Sequence, residues 1–436
     1  MSISTLLRRE VVDALRRGTV PRRGLDLFAV GTDRFDAALS EELATVAAGG
    51  GVFKAIRGEF GCGKSFTARW FQQQALAAGF AVAEVQISEN DTPLHRLETV
   101  YRRAMESLRT REWDSGAFRS ILSAWLLSLE EEVVAAGTNP NDAAGIEAAV
   151  GELLEGRLAD VSAVQPQFAA ALRACHAAQV REDTAQSDGL MAWLMGQPNV
   201  GQEVKRKAGI KGDIDHTGAL AFLRGLLAVL QQSGRPGLML VLDEVETIQR
   251  VRADSREKSL NALRQLIDDV YGGRFPGLYV LITGTPAFFD GPHGVKRLPP
   301  LAQRLHVDFD TDSRFDNPRD VQVRLWPFDM ARLVEVGGKV RSLYPAKNPE
   351  DLQARVPDTV IRVLAEQVTG QLGGKTGIAP RIFLRKLVSG VLDKVDIYGD
   401  FEPGSVSVRV GDEELSVEER AIVRGHPAPD DIDLDV

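Results

Sequence analysis

The chain has 436 residues, 44% of them hydrophobic and 26% charged, which is enough apolar material for a buried core and excludes wholesale disorder. At this length a core with additional lobes is expected rather than one compact unit. Acidic residues (61) outnumber Lys and Arg (52), and a net charge of −9 with a pI near 5.4 leaves no global basic footprint for nucleic acid, so any DNA contact has to be local or supplied by a partner.

Cys62 and Cys175, the only two cysteines, lie in no metal-ligand spacing, so neither a disulfide framework nor a zinc site is expected. Arginines interrupt the apolar pattern of the first residues, and nowhere do about 18 apolar residues run together, so neither a secretory signal nor a membrane span is expected. The expectation is a cytoplasmic protein.

Residues 1–48 read as two helices flanking the loop Thr19-Val20-Pro21-Arg22-Arg23-Gly24, where Pro and Gly break the pattern. A short apolar run over 52–56 reads as a buried strand ending at a glycine-rich turn. A helix follows from Lys64 to about Ala78, with Phe66, Trp70, Phe71 and Leu76 on its apolar face, and 80–87 is the next strand. From 94 to 217 apolar residues recur at spacings of three and four, which predicts a mostly helical insertion divided by loops at 137–141 and 196–199. Strand signals return at 238–242, 278–283 and 321–325, with a helix over 256–271 between the first two. Strands alternating with helices imply an α/β fold with a mainly parallel sheet. After Trp326-Pro327-Phe328 the pattern is helical through Val395, and the end of the chain, with Asp430, Asp431, Asp433 and Asp435, reads as a mobile acidic tail. The expected organisation is a helical lead-in (1–48), a core (49–93 and 218–325), the helical insertion (94–217), a C-terminal helical lid (326–400) and the tail (401–436).

Gly58-Glu59-Phe60-Gly61-Cys62-Gly63-Lys64-Ser65 is a complete G-x-x-x-x-G-K-S phosphate loop between a predicted strand and a predicted helix. Its glycines allow backbone N–H groups to turn inward around phosphates, and the following helix, with Phe66 in its first turn, points its positive end at them. Lys64 would reach the β and γ phosphates of a nucleoside triphosphate, and the Ser65 hydroxyl would ligate Mg²⁺. The apolar run 238–242 delivers Asp243 and Glu244 to the carboxyl edge of the sheet, where Asp243 would hold Mg²⁺ and Glu244 would polarise the attacking water. Thr283, at the tip of the strand 278–283, either hydrogen-bonds that water or the γ-phosphate, or simply closes the strand into its Gly-Thr-Pro turn. Arg304 has the position of an arginine that enters a neighbouring subunit's site, with Arg314 and Arg319 as competitors; an ordinary surface role is the alternative. Arg381, opening the last helix of the C-terminal lobe, either reaches back to the γ-phosphate or binds solvent or a local carboxylate. His95, His176 and His216 have no partners at ligand spacing.

With these elements in order the chain resembles the AAA+ superfamily, near the branch that holds origin-recognition and signalling ATPases. Residues 58–65 match Walker A, Asp243-Glu244 Walker B, Thr283 the sensor 1 position, Arg304 the arginine finger and Arg381 sensor 2. The resemblance implies an ASCE-type P-loop three-layer sandwich with ATP and Mg²⁺ as ligands and an assembly of several copies of the chain. More narrowly, the lead-in 20–25, the loop 58–65, the large helical insertion and Ile282-Thr283-Gly284-Thr285-Pro286 resemble the BREX-system ATP-binding proteins of BrxD type. That resemblance implies an ATP-hydrolysing component of a bacterial phage-defence system, partnered by other defence proteins, with Arg22 near the adenine. Alternatives are an origin-ATPase-like DNA-binding or loading factor and a STAND-like nucleotide switch with little turnover. Only about 40 residues follow Val395, short for the winged-helix domain of origin-type relatives, which argues against direct duplex reading.

Overall fold

The computed structural model describes residues 3–309, 312–372, 379–405, 409–415 and 420; most of the expected acidic tail, including Asp430 to Asp435, lies outside the described residues. In chain order, the lead-in forms α1 (Thr5–Arg16) and α2 (Asp36–Ala47), separated by the expected loop and two short 3₁₀ turns. Strand β1 (Gly51–Arg57) leads through the glycine-rich loop into α3 (Lys64–Ala77), and β2 (Ala81–Gln86) follows. The stretch read as an insertion is helical: α4 (Leu97–Ser107), α5 (Ala117–Ala135), α6 (Ala143–Arg157), α7 (Ala159–Val164), α8 (Pro166–Val180), α9 (Thr184–Leu194) and α10 (Gln202–Lys207). Then come α11 (His216–Gln232), β3 (Leu238–Asp243), α12 (Ala253–Tyr271), β4 (Leu278–Gly284), α13 (Pro286–Asp290), α14 (Pro299–Arg304) and β5 (Gln322–Arg324). The C-terminal helices are α15 (Met330–Leu343), α16 (Pro349–Arg355), α17 (Asp358–Gln371) and α18 (Ala379–Arg385), the last running on as a π-helical segment, Lys386–Leu392, into α19 (Asp393–Ile397).

The five strands form one parallel sheet in the order β2-β3-β4-β1-β5, so β4 lies between the strand that feeds the glycine-rich loop and the strand that ends in Asp243. Every residue of β3 and β4 is buried, as expected of parallel strands covered on both faces. The period-2 alternation of strand side chains then sorts the core into two layers. Leu238, Leu240, Leu242, Leu278, Val280 and Ile282 face the layer built from α4 to α12, while Met239, Val241, Tyr279 and Leu281 face α1 to α3 and α15 to α18. The helices of the insertion therefore share a continuous hydrophobic core with one face of the sheet. On the opposite face the lead-in packs with the C-terminal helices. Arg16 of α1 grips Asp393 of α19 with two hydrogen bonds of 2.8 Å, and the Tyr344 hydroxyl donates to the same carboxylate at 2.8 Å.

A charged side chain is buried within the sheet itself. Lys54, in the middle of β1, is 1% exposed, pairs with Glu42 of α2 and donates to the Pro318 carbonyl at 2.6 Å. Tyr279 of β4 donates its hydroxyl to the other oxygen of Glu42 at 2.6 Å. Burial lowers the Lys54 pKa, and Glu42 partly offsets it.

Candidate active site

The loop from β1 to α3 takes its shape from its glycines. Gly61 (φ 80°) and Gly63 (φ 96°) occupy the left-handed region that residues with a Cβ avoid. A Cβ on Gly58 would lie 2.3 Å from Cys62 Sγ, so no larger residue fits beneath the loop as it stands. This turn aims the amino end of the 14-residue α3 at the carboxyl edge of the sheet, where partial positive charge and unpaired amides suit an anion. The Cys62 thiol is buried, and burial pushes its pKa up to about 11, which leaves it neutral and unreactive under ordinary conditions.

Sheet register brings the remaining groups to the same edge. Gln86 pairs with Asp243 across β2 and β3, Leu242 with Ile282 across β3 and β4, and Ile56 with Thr283 across β4 and β1. As a result Ser65 Oγ donates to Asp243 Oδ2 at 2.9 Å, and Thr283 Oγ1 donates to Asp243 Oδ1. Thr283, fully buried, also accepts the Glu244 amide at 3.0 Å. Glu244 stands at φ 60°, ψ 44°, a left-handed conformation that costs a non-glycine residue roughly 1–2 kcal/mol. Thr283 on its amide and Thr247 on its carbonyl, at 2.9 Å, hold it there. The turn presents both Glu244 and Glu246 to the cavity, and Gln86 Nε2 donates to the Glu244 carboxylate at 2.8 Å.

Lys64 lies at the base of the loop with its side chain only 8% exposed. Its ammonium donates to the Gly58 carbonyl at 3.0 Å and the Glu59 carbonyl at 3.5 Å, pairs with Glu246 at 3.4 Å and sits 4.7 Å from the centre of the Phe60 ring. Burial works against this charge, but Glu246, with Cys62 and then Asp243 adding to it, outweighs burial and raises the Lys64 pKa above the ordinary lysine value.

These groups open on a cavity of about 300 Å³ between the loop, the lead-in and the C-terminal helices. Its apolar wall includes Val20, Pro21, Phe28, Leu325, Phe328 and Val336, a lining suited to a planar base. Phe66 joins it, packed edge-on against Phe28 at 5.3 Å. Trp326, also on the wall, is flanked by two guanidinium groups, Arg34 at 4.0 Å and Arg332 at 4.7 Å from its ring centre. Burial, reinforced by Arg332 and Arg324 nearby, lowers the Arg34 pKa to about 10.

The remaining expected residues divide. Arg381 lines the cavity from the start of α18, and its Nη2 donates to the Glu414 carbonyl at 2.7 Å. Arg22 is exposed and does not line the cavity, although its neighbours Val20 and Pro21 do. Arg304 ends α14 away from the cavity, with Asp268 and the Pro300 carbonyl (2.6 Å) as partners. Arg314 pairs with Asp312 and Arg319 with Glu41, both on the surface. His95 contacts Ser259 and His176 contacts Glu130. No group of three or more His, Cys, Asp or Glu side chains that would hold a metal occurs among the described residues. A hydroxyl and a carboxylate meeting 2.9 Å apart beside an anion cradle nevertheless fit a phosphate-bound Mg²⁺, which takes only a few protein oxygens.

Sequence reading missed Gln86, Glu246 and the Arg34-Trp326-Arg332 stack. Glu246 carried a weak signal, as an acid two residues beyond the Asp-Glu pair, but Gln86 carried none without the register of β2 against β3.

Comparison with protein families gives a match over residues 3–409, to the family described as BREX system ATP-binding protein BrxC/D. No curated protein matches the chain. No helix among the described residues is long and apolar enough to cross a membrane.

Proposed function

The chain belongs to the BREX system ATP-binding BrxC/D family, and on that premise we propose that it is an AAA+-type ATPase, cycling between ATP and ADP as a switching or remodelling component of a cytoplasmic phage-defence assembly. The observation that carries the reading is the 2.9 Å contact between Ser65 and Asp243 at the mouth of the glycine-rich loop. It unites the two groups required at one Mg²⁺ although they are 178 residues apart. The strand order, with β4 between the loop strand and the acidic strand, supports the same assignment.

In this reading the backbone of 58–65 and Lys64 bind the phosphates, and the apolar wall near Val20, Pro21 and Phe328 takes the base. Ser65 and Asp243 would hold Mg²⁺, which when bound would neutralise charge on the phosphates. Glu244 orients a water and takes its proton as the water oxygen bonds to the γ-phosphorus; the bond to the β–γ bridging oxygen breaks, releasing ADP and phosphate. Thr283 keeps Asp243 and Glu244 in place. Arg381 couples the helices of 326–400 to the occupant of the cavity, so that they work as a lid. Arg304 serves a neighbouring copy of the chain, consistent with its place outside its own cavity. Segments 49–93 and 218–325 are the motor, 94–217 carries contacts to other proteins of the system, and any DNA contact runs through those partners.

The test is Glu244→Gln. ATP binding persists while turnover falls by about 10²–10⁴-fold, and ATP-loaded protein retains its partners in a pull-down. Purified wild-type protein that neither binds nor hydrolyses ATP would sink the proposal.

A further inference from the structure

Lys64 cannot serve a phosphate from the place it occupies without leaving something behind. Its ammonium is engaged by two loop carbonyls and by Glu246, a carboxylate just 1% exposed on the turn after β3. Glu246 also lines the cavity, so the carboxylate and an incoming polyphosphate compete for one buried cation. We infer that Glu246 is a positioning residue that holds the loop lysine in reserve and thereby weakens nucleotide binding, setting the affinity of the site for polyphosphates. The inference rests on the ATP-binding reading and deepens it.

Three features carry it. The first is proximity: Glu246 Oε1 lies 3.4 Å from Lys64 Nζ, while the Walker-type carboxylate Asp243 engages Ser65 and Thr283. The second is burial, because an ion pair with side chains 8% and 1% exposed is little screened by water, and exchanging one of its members is costly. The third is division of labour. Glu244 is turned toward Gln86 by its left-handed backbone, leaving Glu246 as the acid on Lys64.

The experiment measures ATP affinity with a fluorescent ATP analogue, together with steady-state kinetics, for wild type, Glu246→Gln, Glu246→Asp, Lys64→Met and the Lys64→Met/Glu246→Gln double variant. Glu246→Gln keeps shape while removing the competing charge, so it binds about tenfold tighter and lowers KM with kcat within about threefold of wild type. Glu246→Asp retains the charge but withdraws it by one methylene, so it shifts affinity in the same direction by a smaller factor and keeps the test alive if the Gln variant misfolds. In the Lys64→Met background the Gln substitution changes nothing, because the effect passes through the lysine. General damage weakens binding; tightening is the opposite sign. Wild type that binds ATP, with folded Glu246 variants that bind equally or more weakly, overturns the inference and leaves the ATP reading standing. Wild type that takes up no ATP overturns both.

Discussion

Ser65 Oγ and Asp243 Oδ2 lie 2.9 Å apart, joining the first turn of α3 to the end of a strand two places away in the sheet. The contact exists because Asp243 is fixed from its other oxygen by Thr283. In the proposed site, Asp243→Asn therefore disturbs both a carboxylate assigned to Mg²⁺ and the Thr283 bond. ATPase activity falls at least about 100-fold, whereas Ser65→Ala, which leaves Thr283 in place, raises the Mg²⁺ concentration needed for half-maximal turnover. Titrating Mg²⁺ against both variants checks the order; equal Mg²⁺ dependence in Ser65→Ala and wild type would remove Ser65 from the metal site.

Lys64→Ala takes from the loop the ammonium engaged by Gly58, Glu59 and Glu246. ATP affinity drops at least about tenfold, measured by calorimetry, because the phosphates lose their charge-assisted donor. Wild-type affinity in this variant would reject the assignment of the cradle.

Gln86 holds the Glu244 carboxylate at 2.8 Å from the adjacent strand. That hydrogen bond keeps the carboxylate turned toward β2 and away from a water at the cavity. Gln86→Ala is expected to raise basal turnover a few-fold with ATP affinity unchanged. A single-turnover assay separates the two, and loss of binding would show that Gln86 supports the fold rather than Glu244.

The buried Lys54–Glu42 pair predicts a stability effect with no functional signature. Removing one partner leaves an uncompensated charge under α2, so Lys54→Met lowers unfolding stability by about 3–5 kcal/mol, while the Lys54→Met/Glu42→Leu double variant recovers much of it. Urea denaturation of the two variants measures the difference.

Cys62 has a pKa raised from 9.0 to about 11 by burial, so folding favours the neutral thiol. Its contribution to stability is complete below about pH 9 and disappears as pH rises through about 11. Iodoacetamide at pH 8 is expected to spare Cys62 in the native protein and label it after unfolding, as read by mass spectrometry.

Much of this architecture was legible locally. The phosphate loop is a contiguous motif, and the strands ending in Asp243 and Thr283 are apolar runs of the right length, so each announced itself within a dozen residues. The helical stretch 97–207 was equally readable from its spacing of three and four. What that periodicity could not convey was the destination of its apolar faces, which is the sheet surface formed by Leu238, Leu240 and Leu242.

Residue type and short-range spacing were therefore sufficient for the loop, the acidic pair and the sequence of strands and helices, because backbone conformation and amphipathic periodicity are written over a few residues. Strand order and register belong to the tertiary structure alone: they depend on which long-range pairings bury most apolar surface while satisfying the ladder hydrogen bonds. Only that pairing set Gln86 beside Glu244, and only the turn after β3 carried Glu246 onto Lys64.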